Sequence, residues 1–499
     1  MPGPGAVCDL GPVTTVLGID LGTSSVKVVL ADPDGAVRAR ASAAYPVERP
    51  HPGWVETDPE AWWRSVGEAV GRLRTDPGWS APSAVGLSGQ MHGVVLCTGS
   101  GAPVRPALLW CDNRATAEVE RYRALPGPAR RALGNPLSPG MAGPELAWLH
   151  THEPEAVGAA AYALQPKDWL RARLTGRFAA EPSDASATLL FDVFAETWDD
   201  TLAGLLGLRR DLLAGLLPWA GSRAGELLPA AAEFLGLPAG IPVAAGAADT
   251  AAAALGSGLT RPGDVQLTIG TGLQIVTPVP RPTPDRVPAD PVTHLYRAAT
   301  PDGWYAMAAS LTGGQTLDWA RRILGADWPE LYAAAARTPQ AGDPIFLPHL
   351  TGERTPYLDP GLRGAWTGLA AEHDREALLY AVVEGVAFAA ADALAALPGI
   401  PSAPRALRLA GGGTTAPAWR DLLADALDAA LDAVEAPDAS ARGAALLAAQ
   451  AAGRAPAGAE PPTPTRRVAE PGPRRVVLTE RRRRYHAALN SLRAAQQQL

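Results

Sequence analysis

Lysine is almost missing from this chain. Only Lys27 and Lys167 occur in 499 residues, so the positive charge is carried by arginine, and neither this nor the heavy use of alanine implies a function. Cysteine is as sparse: Cys8, Cys97 and Cys111 are odd in number and too far apart for a metal knuckle. A reduced interior with no disulfide and no zinc is expected. The opening stretch from Met1 to Pro12 is rich in Gly and Pro and has neither the basic start nor the apolar core of a signal peptide. No later segment reads as apolar for the roughly 20 residues that a membrane span needs, so a cytoplasmic protein without a membrane partner is expected. Charge of one sign is lacking too. With 44 Lys and Arg against 51 Asp and Glu, the formal net charge of -7 describes a mildly acidic globular surface rather than a nucleic-acid binder.

What is present is length and apolar content. A chain of 499 residues, 47% of them hydrophobic, exceeds what one core organises and points to two or three domains with a cleft between them. Thr15 to Leu30 reads as two β-branched strands around Leu-Gly-Thr-Ser, a tight hairpin with Asp20 at its turn, and a further strand is expected after it. Asp58-Pro59 opens a helix in which Trp62, Trp63, Val66, Ala69, Val70 and Leu73 recur at helical spacing, as core. Ala84 to Leu87 is a strand entering Ser88-Gly-Gln-Met-His-Gly93, and Val94 to Leu96 resumes it. Ile241 to Gly246 is an apolar strand whose exit carries Asp249-Thr250 into a small-residue helix. Asp264 to Val276 then repeats the strand, Gly-Thr turn and strand of the opening, which suggests a duplicated unit. The division drawn from this places one domain at 1–255 and a second at 256–499. Leu407 to Ala410, Gly411-Gly-Gly-Thr-Thr415 and a helix from Pro417 form a third strand–glycine turn–helix unit. Gly453 to Pro473 reads as a surface linker, and Arg481 to Arg484 as the solvated face of a terminal helix.

Three glycine turns invite a phosphate, because glycine lets backbone N–H groups approach oxyanions and neighbouring hydroxyls add donors. These are Gly22-Thr23-Ser24, Gly270-Thr271-Gly272 and Gly411-Gly412-Gly413-Thr414. Each alone is also an ordinary structural turn. Asp20, beside the first of them, is placed to hold Mg2+ or simply to cap its turn. Asp249, at a strand-to-helix junction, is placed to meet a ligand or to cap its helix.

Taken in order along the chain, the motifs resemble the FGGY carbohydrate kinases. Asp20-Leu-Gly-Thr-Ser-Ser25 is similar to that family's first phosphate loop, Ile269-Gly-Thr-Gly272 to its second, and Ala410 to Thr415 with Trp419-Arg420 to its adenosine loop. Pro50 to Pro59, Pro166 to Gly176, Ser183 to Ser186, Leu347 to Pro356 and Val383 to Phe388 match further family stretches. Ser88 to Gly93 and Trp110-Cys-Asp-Asn-Arg114 are most similar to the xylulokinase branch. The resemblance implies an α/β fold of two actin-like (ribonuclease H-like) ATPase domains with an interdomain cleft. It implies ATP and Mg2+ as cofactors, Asp249 as catalytic base and Asp20 as the magnesium-associated acid. Met91 and His92 would line the sugar, Arg114 would lie behind that layer, and a homodimer is allowed. The implied reaction is transfer of the γ-phosphoryl group to D-xylulose by an aspartate of ordinary basicity.

Two departures bear on the sugar. Thr250 stands where many xylulokinases have Asn, and Gly-Thr-Gly-Leu-Gln replaces the frequent Gly-Thr-Ser-Gly. A kinase for ribulose, gluconate or glycerol is therefore the alternative, and a non-catalytic actin-like protein, disfavoured by the two acids, the distant one.

Overall fold

The computed structural model describes residues 14–340, 342–400, 404, 406–459 and 463–496. Cys8 and the Gly- and Pro-rich start lie outside the described residues, so the reading made of them stays with the sequence. Two mixed sheets organise the chain. In the first, the strand order is Arg223–Glu226, Pro242–Ala244, Pro82–Gly89, Thr15–Leu21, Ser25–Ala31 and Val37–Ala44, with the short Ala247–Ala248 also against Pro82–Gly89. In the second it is His294–Arg297, Trp304–Ser310, Leu273–Val279, Gln266–Ile269, Ala406–Ala410, Ala430–Val434 and Thr465–Ala469.

The two orders repeat one plan. A hairpin and a third antiparallel strand lie on one side, and two strands parallel to the first arm lie on the other. The echo of about a dozen residues seen in the sequence thus extends over both sheets, as expected for two actin-like ATPase domains. The expected hairpins form, with Asp20 opposite Lys27 in the first and Thr268 opposite Gln274 in the second. The helix Pro59–Leu73 starts where Asp58 accepts from the Glu60 N–H at 3.0 Å, and it buries Trp62 and Trp63 as core.

Glycine inside a strand usually marks a close backbone approach. A Cβ on Gly18 would stand 2.1 Å from the Ala441 carbonyl oxygen, and one on Gly86 only 1.8 Å from that of Ala444. The backbone pressed on the first sheet is the alanine-rich helix Ala439–Ala451, which comes from the second half of the chain. It runs beside the helix Asp249–Gly256, where Gly443 and Gly256 allow equally close contact. Asp438 at its start pairs with Lys27 at 3.4 Å and Arg40 at 3.2 Å.

Three expectations are corrected. Thr465–Ala469, inside the stretch read as a linker, is the edge strand of the second sheet, held against Ala430–Val434. Its exposed arginines hide the strand pattern but suit an edge. Arg481 is not on a solvated face: it is 1% exposed, and its guanidinium pairs with Glu384 at 2.5 Å and 2.6 Å and donates to the Gln340, Asp343 and Pro344 carbonyls. Arg482 pairs with Asp392, so half of the arginine run anchors the terminal helix Arg475–Gln496. Finally, Arg375–Ala395 is a helix of 21 residues with mean hydropathy 1.7, long and apolar enough to span a membrane by length and composition. It is buried almost throughout as the central helix of the second core.

Candidate active site

The register of the parallel strands decides what meets. Asp20 is paired with Ser88, and Ser88 in turn with Ala247, so Asp20, the turn after Ser88, and Asp249 emerge together at the carboxyl ends of adjacent strands. Ligands gather at such ends in sheets with crossover helices. The structural alternatives for the two acids both fail. Gly22 N–H to Ser25 carbonyl (3.0 Å) closes the first turn, while the Asp20 carboxylate accepts from Ser88 Oγ at 3.0 Å. The helix Asp249–Gly256 has Ala248 at its cap position and no side-chain cap bond.

Both carboxyls are only partly exposed, at the floor of the cleft. Burial pushes Asp20 up to about 6, against the Ser88 hydrogen bond and the Lys27 charge. Burial, and then the neighbouring Asp20 charge, push Asp249 up to about 7, while the Thr250 hydroxyl, donating to Asp249 Oδ1 at 3.1 Å, pulls the other way. Enclosure and the second acid thus hold the Asp249 carboxyl above the ordinary carboxylate range.

Asp249 and Thr250 also line a cavity of about 190 Å³ whose far wall is Gln266, Thr268 and Gln274 of the second hairpin, with Ser440 at its edge. Asp249 therefore faces the second half of the chain across open space. Among the described residues no cluster of three or more His, Cys, Asp or Glu is disposed for a metal. Two like-charged carboxyls beside glycine turns nonetheless fit Mg2+, which takes one or two carboxylates and completes its shell with water and phosphate.

The three glycine turns differ in how they are held. Gly22, Thr23 and Ser24 form the first, braced by the Tyr45 hydroxyl on the Gly22 carbonyl. The Thr23 hydroxyl accepts from Trp110 Nε1 at 3.0 Å. Gly270 and Thr271 are exposed at the second, where Gly272 sits so close to Ser310 that a Cβ would meet its carbonyl at 2.4 Å. Gly411 and Gly412 are exposed at the third, with Gly413 packed on Ile269; since Thr268 is paired with Ala410, the second and third turns adjoin. Thr414 is buried and spends its hydroxyl on the Gly411 carbonyl at 2.8 Å, which holds the turn's shape.

In the turn after Ser88, Met91 is buried among Ala187, Ala247, Ala248 and Tyr296. His92 adopts φ +76°, a conformation that costs a non-glycine residue energy and tends to persist at functional sites. Its Nδ1 lies 2.7 Å from the Ala187 carbonyl, and burial first holds its pKa down to about 4. The ring is therefore neutral at pH 7, with Nδ1 as the N–H donor and Nε2 left as an acceptor. Arg114 is not at the surface of this site. Its guanidinium reaches Asp112 at 2.8 Å and Glu56 at 2.7 Å and lies 3.8 Å from the Trp54 ring centroid, so it fixes the turn that carries Trp110.

Sequence reasoning assigned no role to the charges beneath the site. Lys167, wholly buried, contacts Asp168 at 2.5 Å, Asp184 at 3.2 Å and Glu181 at 3.3 Å, with Arg171 on Asp168 at 2.8 Å. Its alkyl stem packs on Gly89 and Gly246, between the turn after Ser88 and the strand leading to Asp249. Glu181 binds the Ser183 hydroxyl, which accepts from the Ala248 N–H at 3.0 Å, one residue before the base. Arg354, inside the quoted stretch Leu347 to Pro356, was passed over as well, because a lone arginine has no local signal.

Comparison with known proteins agrees with this geometry. Residues 15–256 match the N-terminal domain, and residues 265–452 the C-terminal domain, of the FGGY family of carbohydrate kinases. A xylulose kinase of Escherichia coli (strain K12) is 37% identical over 423 residues, 83% of this chain and 85% of that protein. A glycerol kinase of Gloeobacter violaceus is 33% identical over 486 residues, 93% of this chain and 94% of the other. The crystal structure of xylulose kinase from Rhodospirillum rubrum superposes with a TM-score of 0.87 at 29% identity, covering 97% of this chain and all of that one.

Proposed function

The chain belongs to the FGGY family of carbohydrate kinases, and from that premise we propose that it transfers the γ-phosphoryl group of ATP to O5 of D-xylulose. The observation that supports the reading is the convergence of Asp20, the turn after Ser88 and Asp249 at one end of the first sheet, with Gln266, Thr268 and Gln274 of the second hairpin across the cavity from Asp249.

In this reading the sugar lies against Met91 and His92, whose Nε2 accepts a hydrogen bond from a sugar hydroxyl. Asp249 takes the proton of the terminal hydroxyl as the phosphoryl group is captured. The amides of the Gly22, Gly270 and Gly411 turns cradle the phosphates and the adenosine side of ATP. Asp20 would hold the Mg2+ that accompanies ATP, and that ion supplies charge neutralisation on the transferring phosphate. Positioning and electrostatics do most of the work, proton removal contributing about 10²- to 10⁴-fold. Sugar on one side and phosphate loops on the other imply that turnover waits for both, with slow hydrolysis of ATP in water alone.

The reading includes two domains, 1–255 and 256–499, a division supported by the family matches to 15–256 and 265–452. It places the enzyme in the cytoplasm with sugar and ATP as partners, with neither nucleic acid nor membrane, and it allows a homodimer.

The test is ADP release with Mg-ATP against D-xylulose, D-ribulose, L-ribulose, gluconate and glycerol, on the wild type and on Asp249→Ala. D-Xylulose-selective turnover that collapses by about 10²-fold or more in the variant is expected. Selectivity for another sugar would keep the base and replace the substrate, and sugar-independent or absent turnover would remove the kinase reading.

A further inference from the structure

Arg354 presents a guanidinium with no partner of its own. Among the described residues its side chain makes no hydrogen bond and no ion pair, although it is partly buried and surrounding protein depresses its pKa. It stands 5.7 Å from the centroid of the Trp110 ring, and its charge is felt at His92, His294 and Tyr296. Arg114, near the same turn, is by contrast paired with both Asp112 and Glu56. A guanidinium partly withdrawn from water, with only a ring beside it, is free to donate to an acceptor placed against it.

The backbone beside Arg354 is held firmly. Glu353 Oε1 accepts from the N–H groups of Arg354 (2.8 Å) and Leu311 (2.9 Å). Glu353 Oε2 accepts from Ser310 Oγ at 2.9 Å and Thr312 Oγ1 at 2.8 Å and lies 2.9 Å from His349 Nδ1. Two residues on, Gly314 N–H donates to the Gly270 carbonyl at 2.8 Å and Gln315 N–H to that of Thr271 at 2.9 Å. One buried carboxylate thus fixes both the arginine and the segment that carries the second phosphate turn.

We propose that Arg354 is the second half's contact with the acceptor sugar, its guanidinium donating to sugar oxygens beside His92 and so tying sugar binding to the placement of the Gly270 turn. This rests on the reading that the Ser88 to Gly93 turn binds the sugar. Open-chain ketoses offer a carbonyl and hydroxyls as acceptors, and the planar fork of arginine serves two at once. The contact would join the two halves of the chain, since Arg354 already stands beside Trp110 of the first half.

The experiment compares wild type, Arg354→Met and Arg354→Lys in two measurements: KM for D-xylulose and for Mg-ATP, and the rise in melting temperature given separately by D-xylulose and by Mg-ADP. Loss of a charged hydrogen bond predicts a KM for D-xylulose raised about 10- to 100-fold in Arg354→Met, partly recovered in Arg354→Lys, with KM for Mg-ATP within about twofold. The melting shift with D-xylulose should vanish in Arg354→Met while that with Mg-ADP persists. An unchanged sugar KM and shift, or equal loss of both ligands' shifts, overturns the proposal and leaves Arg354 a structural residue. If the wild type prefers another sugar of the panel, the D-xylulose reading falls and the same comparison with that sugar still decides Arg354. A wild type that responds to no sugar overturns both.

Discussion

Thr250 offers a direct test of how the base is tuned. Its hydroxyl donates to Asp249 Oδ1 at 3.1 Å, a bond that favours the ionised carboxylate and opposes burial and the Asp20 charge. If Asp249, raised to about 7, is the base proposed above, only its ionised form accepts the sugar proton and kcat/KM for the sugar should rise with pH through that value. At pH 6 such a base is about one-tenth ionised. Thr250→Val removes the bond while keeping the shape. A hydrogen bond to a charged group is worth about 1.5 kcal/mol, which is about one pH unit. The rising limb should therefore move upward by about one unit, and kcat/KM at pH 7 should fall about fivefold while the values at pH 9 converge.

The assay is the pH dependence of kcat/KM, since this ratio reports the free enzyme, the state in which the hydrogen bond is seen. Thr250→Ser should keep the wild-type limb. A limb that stays in place, or moves to lower pH, refutes the tuning argument. A loss that is the same at every pH would instead show that the Thr250 hydroxyl acts on the sugar alone.

Two further predictions concern the frame. Because the Asp249 carboxyl is raised from 3.8 to about 7 in the folded protein, its favourable contribution is fully present below about pH 4 and is lost as pH rises through 7. Asp249→Asn, with no charge to bury, should accordingly melt above the wild type at pH 8, with the gap closing as pH falls toward 4; a gap constant with pH would contradict the raised value. Gly86→Ala places a methyl group 1.8 Å from the Ala444 carbonyl, where backbone rather than side chain must yield, so a loss of about 3 kcal/mol or more is expected in denaturant unfolding. Unaltered stability would mean that the helix Ala439–Ala451 does not seat on that sheet.

What could be read from the sequence was local. Asp20 and its hairpin were legible because alternation of β-branched residues and a Gly-Thr turn lie within sixteen positions, and the second hairpin because it repeats them. The FGGY resemblance supplied the rest of the site. Arg481 was misread because its partner, Glu384, is 97 positions away, and a run of arginines looks the same whether it meets water or a buried carboxylate. Thr465–Ala469 failed the strand pattern because an edge strand is free to show charge on both faces. The basicity of Asp249 was out of reach for a related reason: it is set by enclosure and by Asp20, and both depend on strands that pair only in the folded chain.

The placement of the base explains why these distant pairings matter to the chemistry. Ala247, two residues before Asp249, is in register with Ser88, so the turn after Ser88 and Asp249 are set by one sheet, onto which the helix Ala439–Ala451 is pressed at Gly18 and Gly86. Ser440, at the start of that helix, also donates to the Asp249 carbonyl at 3.3 Å. The Gly270 and Gly411 turns belong to the other sheet, whose Gln266, Thr268 and Gln274 line the far side of the cavity. In the proposed reading, sugar and base are therefore aligned by the folding of the first sheet, whereas base and phosphate are aligned across the two sheets. Water beside Asp249 gains nothing from the first alignment and does not drive the second. A sugar spanning from His92 to Arg354 satisfies both, which is the physical basis for expecting transfer to sugar to outrun hydrolysis.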